Sequence, residues 1–373
     1  MDTYGRLKME LIRRGVYLSD EVRAFPEVSM GICGGYPGEE ISLTLAEDFI
    51  VKVVLKPGPE GSLSLKLHEG KLRLVNAGKN EEVGVIPLPM FIKSQMQERT
   101  PVSENVCLDG YCLNIFLRMM DKGQRLNLSQ EEILSIIQLA FEEGAADLVQ
   151  INMDYCEDKD RGFRLLVPVV EAIKKKFKTF VTFKGFPPQD KQTVDQMYAA
   201  GIDMVNFPFD GFAGSVKSGE IVSSKQVHDA LEYAVGVFPE GTVWTELVPG
   251  PGSITQIKSR IDHLTRQGVV PMLKLEPASI TVGDALPKVQ EAVLHLEYAA
   301  GKERLALKWL YPNCRSVTPL DTLFYTGKRE EARLAVKPIY RSILGKKASE
   351  GFAALRRKLR IKNVSDSYES AGL

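Results

Sequence analysis

Between residues 104 and 300 the chain switches back and forth between two hydrophobic periods. Short apolar runs begin near 106 ("VCLDGYCLNIFL"), 147 ("DLVQINM"), 179 ("TFVTFKG"), 203 ("DMVNFPF"), 242 ("TVWTELV") and 270 ("VPMLKLE"), and each reads as a strand. Residues 129–143, 163–177, 190–200, 224–237, 254–267 and 284–300 carry the spacing of amphipathic helices instead. Ser129 with Glu132 makes a capping box, and Gly144, Gly201 and Gly268 stand where three of these helices should stop. Strands alternating with helices over short connections argue for a parallel sheet covered by helices. Six such units are too few for a closed eight-unit barrel but suit a partial (β/α)6 TIM-like barrel; periodicity leaves a doubly wound sheet open as the rival. In either fold the chemistry belongs at the C-terminal ends of the strands, where loops and helix N-termini converge.

The flanks follow other patterns. Residues 3–15 have a helical period, with Leu7, Leu11 and Val16 on one side. Residues 41–75 alternate apolar and polar, with turn signals at "KPGPEG" and "HEGK", and predict antiparallel hairpins; "EEVGVIPLP" adds a further strand. The expected organisation is therefore a small β-rich N-terminal domain over 1–95, the α/β unit over 96–302, and a helical C-terminal extension over 303–373.

Composition narrows the classes. A chain of 373 residues exceeds what one small core supports and fits a large α/β domain with attachments. Lys+Arg and Asp+Glu balance at 48 each, so no basic field argues for a nucleic-acid partner. No stretch approaches the roughly 20 apolar residues of a membrane span, and the polar N-terminus lacks the features of a secretory signal. Five cysteines, an odd number, read as reduced thiols, so a cytoplasmic location is expected.

The succession "EEILSIIQLAFEEGAADLVQIN", "DRGFRLLVPVVEAIKKKF", "VDQMYAAGIDMVNFPFD" and "HDALEYAVGVFPEGTVWTELVPGPGSITQIKSRIDHLTRQGVVPML" resembles the core of a radical S-adenosylmethionine enzyme of the biotin-synthase-like kind, over about residues 104–280. That family binds a 4Fe-4S cluster through three cysteines, usually C-x3-C-x2-C, in the loop after the first strand. Here that region, "LNIFLRMMDKGQRLNLSQEE", has no cysteine. The places where the resemblance implies cofactor contacts read "INMDYCEDKDRG", "NFPFDGF" and "VPGPGS", with Asp210 out of register. The resemblance thus implies a degenerate relative that kept the barrel, lost the cluster loop, and binds a small molecule in the barrel mouth or a partner protein such as an active paralogue. An alternative is an atypical enzyme with a 4Fe-4S cluster on Cys107, Cys112 and Cys156, and S-adenosylmethionine beside it. Residues five apart on a regular strand point to opposite faces, so Cys107 and Cys112 would diverge unless Gly110 carries a bulge.

Polar residues at the expected strand ends are the candidate pocket: Asn114, Asn152, Asp154, Lys184, Asn206, Asp210, Glu246, Lys274 and Glu276. Glu246 and Lys274 lie inside otherwise apolar strands, where a charge needs a partner, and a mutual ion pair would satisfy both. A desolvated Lys184 or Lys274 is also the residue type for Schiff-base chemistry, which makes a lyase the third reading. His68, His228, His263 and His295 lack metal-ligand spacing and read as surface or packing residues. The glycines of "GGYPGEE" from 34 read as a turn, and "ALRRKLRIK" (354–362) as a solvated basic helix.

Overall fold

A computed structural model describes residues 3–34, 38–76, 79–97, 104–209, 222–249, 253–280 and 285–341. The chain is a mixed α/β protein built on two eight-stranded sheets. The first helix, α1 (Tyr4–Arg14), starts where the Thr3 side chain accepts the Arg6 amide and stops at Gly15, whose φ of 70° suits glycine. Val16, expected on the helix, instead opens strand β1 (Val16–Leu18). The remaining strands of this sheet are β2 (Ile32–Cys33), β3 (Glu40–Ala46), β4 (Phe49–Lys56), β5 (Leu63–His68), β6 (Lys71–Asn76), β7 (Lys79–Glu82) and β8 (Gly84–Val85). They order as β2-β3-β4-β1-β5-β6-β7, with β8 pairing β3.

The expected hairpins are present in part. β5 and β6 join at "HEGK" through Glu69 and Gly70, both with positive φ, as a two-residue turn of the primed kind requires. "KPGPEG" does not close a hairpin, because β1 inserts between β4 and β5 and runs parallel to both. The β3–β4 turn falls instead at Glu47 and Asp48, the latter at φ 62°.

The second sheet opens on a turn hidden inside an apolar run. "VCLDGYCLNIFL" is not one strand but an antiparallel hairpin of β9 (Val106–Asp109) and β10 (Cys112–Leu117). Gly110 makes the turn at φ 59°, and a Cβ there would meet Ile50 Cδ1 at 2.7 Å. A two-residue ribbon, β11 (Met119–Met120) with β12 (Arg125–Leu126), follows. The parallel series continues through β13 (Leu148–Met153), β14 (Phe180–Lys184), β15 (Met204–Asn206), β16 (Val243–Leu247) and β17 (Val270–Lys274). A short antiparallel strand, β18 (Ser316–Val317), closes the far edge.

From β10 to β17 the six parallel strands lie in sequence order. No point exists among them where the order reverses, which a doubly wound sheet needs. The interleaved helices match the expected periods: α2 (Gln130–Glu142), α3 (Phe163–Lys176), α4 (Lys191–Ala200), α5 (Ser224–Val237), α6 (Ile254–Arg266) and α7 (Ala285–Lys302). Ser129 and Glu132 form the reciprocal capping box at α2, and Ser223 with Gln226 forms another at α5. Crossovers in constant order and of one hand place successive helices side by side on one face, and α2–α3, α3–α4, α4–α5 and α6–α7 pack accordingly.

Strand residues alternate between the two faces. Leu113, Ile115, Val149, Ile151, Val181, Phe183, Val205, Val243 and Leu273 join the helix-side core, which continues without a break into the first sheet through Leu7, Val16 and Val51. Cys112, Leu148, Phe180, Met204, Trp244, Val270 and Met272 form a second cluster on the opposite face with Trp309, Leu310, Tyr311, Leu320, Ile339 and Tyr340. The described part of the C-terminal extension is thus an irregular strap lining that face, with only a few one-turn helices, rather than the expected helical tail. Residues 342–373, including the basic "ALRRKLRIK", and Asp210 lie outside the described residues. Among the described residues no helix is long and apolar enough to cross a membrane.

Candidate functional site

The face covered by the strap is graded along the strands. Its N-terminal half is apolar and filled: Trp309 and Tyr340 meet Phe180 edge-on at 5.6 and 5.7 Å, and Tyr311 meets Trp244 at 6.1 Å. Towards the strand C-termini the same face turns polar. The period of two that puts Cys112, Phe180, Met204 and Trp244 inside also brings in Asn114, Thr182, Lys184, Asn206 and Glu246.

The polar residues divide into two groups. Asn114 and Asn152, both expected here, join Gln150 in a closed amide network. Gln150 Nε2 donates to Asn114 Oδ1 at 2.7 Å and to Asn152 Oδ1 at 2.9 Å, and Asn152 Nδ2 donates to Asn114 Oδ1 at 3.1 Å. The Tyr311 hydroxyl caps the network by donating to Gln150 Oε1 at 3.2 Å. These groups satisfy one another, so this cluster is a buried structural layer.

The second group is not saturated. Lys184 Nζ lies 2.5 Å from Glu246 Oε1, and Asn206 Nδ2 donates to the same oxygen at 3.2 Å. Glu246 Oε2, Asn206 Oδ1 and Thr182 Oγ1 are buried with no hydrogen-bond partner. Burial alone would raise the Glu246 carboxyl. The charge and hydrogen bond of Lys184, the charge of Lys274 and the Asn206 amide outweigh it and hold the group below the usual carboxylate range. The expected mutual pair of Glu246 and Lys274 is not formed: Glu246 takes Lys184, and Lys274 Nζ takes Glu276 at 2.8 Å. Lys184 and Lys274 stay about one-fifth exposed, at 20% and 18%, so the unsaturated end of the face opens outward.

Asp154 is exposed just past β13, where it accepts its neighbour's amide, from Tyr155, at 2.9 Å, and it takes no part in the cluster. Gln150, Thr182 and Tyr311 belong to the polar layer and were not expected. Gln150 and Thr182 sit two residues before Asn152 and Lys184, so strand alternation alone would have found them; Tyr311 left no local signal because the strap brings it in.

The three cysteines of the cluster reading do not converge. The hairpin register sets Cys107 opposite Asn114 and Cys112 opposite Asp109, so Cys107 and Cys112 share a face. Cys112, however, pairs with Leu148 at the start of β13, and Cys156 follows that strand's end, about 16 Å or more away along it. Among the described residues no three His, Cys, Asp or Glu side chains are placed to hold a metal ion. Burial pushes the Cys107 thiol up to about 11 and that of Cys112 well above its ordinary value, so both are held as thiols. A 4Fe-4S cluster does not fit these residues. Cys107 and Cys33 instead line a cavity of about 40 Å³ beside Lys52, between the two sheets.

No family model and no curated protein matches this chain. Among solved structures, a dihydropteroate synthase (folP) in complex with pteroic acid from Coxiella burnetii is 14% identical over 54% of this chain and 87% of its own, with a TM-score of 0.27. Rv1207 of Mycobacterium tuberculosis is 15% identical over 54% of this chain and 87% of its own, with a TM-score of 0.26. At such scores neither likeness bears on fold or activity.

Proposed function

We propose that the six β/α units form a partial (β/α)6 barrel whose mouth binds a small polar molecule on Thr182, Lys184, Asn206, Glu246 and Lys274, without radical chemistry. The observation that carries the reading is the trio of buried, unpartnered polar atoms, Glu246 Oε2, Asn206 Oδ1 and Thr182 Oγ1, beside two part-exposed ammonium groups. Each buried polar group left without a partner costs about 1–3 kcal/mol, so a ligand that satisfies them recovers that free energy. Two of the three atoms accept only, and the ammonium groups have donors to spare. The complementary ligand therefore presents adjacent N–H donors to Glu246 and Asn206 and an oxygen acceptor to Lys184 or Lys274. Ligand-observed NMR against a library of small amides, amidines and amino-heterocycles tests this. Hits displaced in Glu246→Gln and Asn206→Ala, but retained in Asp154→Asn, support it; hits indifferent to Glu246 and Asn206 would remove it.

A lyase reading centres on Lys184, a part-exposed amine at a strand end, 2.5 Å from the Glu246 carboxylate. It requires Lys184 to condense with a carbonyl and release water. Borohydride with a panel of keto acids and aldehydes would then leave a reduced adduct on Lys184, and a clean mass spectrum across the panel ends this reading.

A further inference from the structure

Away from the barrel mouth, neighbouring helices bring together histidines that the sequence spacing kept apart. His228 lies on α5 and His263 on α6, 35 residues later. Their Nε2 atoms are 3.0 Å apart, their ring centroids 4.5 Å and their planes 27° from parallel. A head-on N–H···N hydrogen bond at that separation would hold the centroids more than about 5 Å apart, so the contact is bent and weak as a hydrogen bond. The two Nε2 atoms are thus adjacent without a well-formed bond between them.

A third polar group lies beside them. Gln267, four residues after His263, places its side-chain amide 3.2 Å from His228 Nε2. A neutral ring nitrogen offers one proton or one lone pair, so His228 Nε2 cannot serve both neighbours well. The other end of that amide, Gln267 Oε1, is buried and has no partner. A half-turn of the terminal amide, nearly identical in shape, would put this acceptor beside His228 Nε2.

We propose that His228, His263 and Gln267 form a surface site for a divalent d-block cation, held by two imidazole nitrogens and the amide oxygen, with water completing the shell. Two nitrogens bound at ~2.0–2.1 Å to one cation lie ~2.9–3.4 Å apart, so the observed separation needs little adjustment. Imidazole selects Zn2+, Ni2+ and Cu2+ over Mg2+ and Ca2+, and the order of divalent affinities puts Cu2+ first. Slight burial, His228 and Arg266 push His263 below its ordinary value, with Glu232 opposing. Glu232 stands one helical turn beyond His228 and adds the negative charge that a dication favours. His295 is engaged elsewhere, 2.8 Å from Asp262, and is the internal control.

The test uses the untagged full-length chain, titrated with Zn2+ and Cu2+ against a chromogenic chelator, with electron paramagnetic resonance on the Cu2+ form. One cation per chain is expected, with a copper spectrum split by two imidazole nitrogens. His228→Ala and His263→Ala should each weaken binding at least about tenfold, His295→Gln should not, and Gln267→Glu should tighten it by exchanging an amide for a carboxylate. Far-UV circular dichroism checks that the variants remain folded. Equal binding by the His228→Ala/His263→Ala double variant and the wild type, a spectrum without two nitrogens, or no binding below millimolar metal would each overturn the proposal.

Discussion

Glu246 concentrates the conflict between burial and charge at a single residue. It is 5% exposed, one of its oxygens is bound twice, and the other is not bound at all. Removing Lys184 leaves this carboxylate uncompensated, so Lys184→Met should destabilise the protein toward the lower end of roughly 3–5 kcal/mol in urea unfolding, since Lys184 keeps some contact with water. Because its folded-state value is depressed, Glu246 contributes stability that is present above its unfolded value of about 4.3 and lost as pH falls through the lower folded value. The gap between wild type and Lys184→Met should therefore be full at pH 7 and narrow below about pH 4; a gap independent of pH would assign the loss to packing. At this scale the sequence marks the residues but not their pairing. A charge inside an apolar strand announces Glu246 and Lys274, whereas the choice of Lys184 as partner depends on inter-strand register, which no local pattern carries.

At the scale of elements, the α/β half is legible almost throughout, because each helix has its own amphipathic period and each strand its own apolar run. The six helices fall within two residues of their expected bounds. The failures occur where one apolar run hides a turn or where pairing is non-local. "VCLDGYCLNIFL" looks continuous, yet Gly110 folds it back on itself, and β1 lies too far from β4 and β5 in sequence to be read as their neighbour. The hairpin should be correspondingly intolerant at its turn. Gly110→Ala needs a left-handed φ and places a methyl group 2.7 Å from Ile50 Cδ1 and 3.1 Å from the Pro312 carbonyl. A loss of about 1–3 kcal/mol is expected, and an unchanged denaturation midpoint would show that the turn relaxes freely.

For the whole molecule, the decisive contact is between the strap and the inner face of the second sheet. Trp309 is 6% exposed and packs on Phe180, and its loss opens a cavity among aromatic side chains that cannot collapse independently. Trp309→Ala should cost about 3–5 kcal/mol and raise binding of a hydrophobic dye, with unfolding remaining a single transition if the shared core couples the two sheets. Two separated transitions would show that the sheets unfold as independent units. None of this was visible in the strap's own residues. "LKWLYPNC" has no period, and its apolar side chains find a purpose only on a surface assembled from strands that lie well before it in the sequence.

The strap also imposes an order on biosynthesis. Phe180, Met204 and Trp244 leave the ribosome well before the Trp309 and Tyr340 that cover them. At ~5–20 residues per second, the 65 residues from Trp244 to Trp309 take roughly 3–13 s to add. During that interval the nascent sheet presents a greasy, half-finished wall that chaperones or other growing chains can engage. A synonymous slowdown in translation placed between codons 245 and 308 should therefore lower the yield of folded protein, although the finished polypeptide is the same.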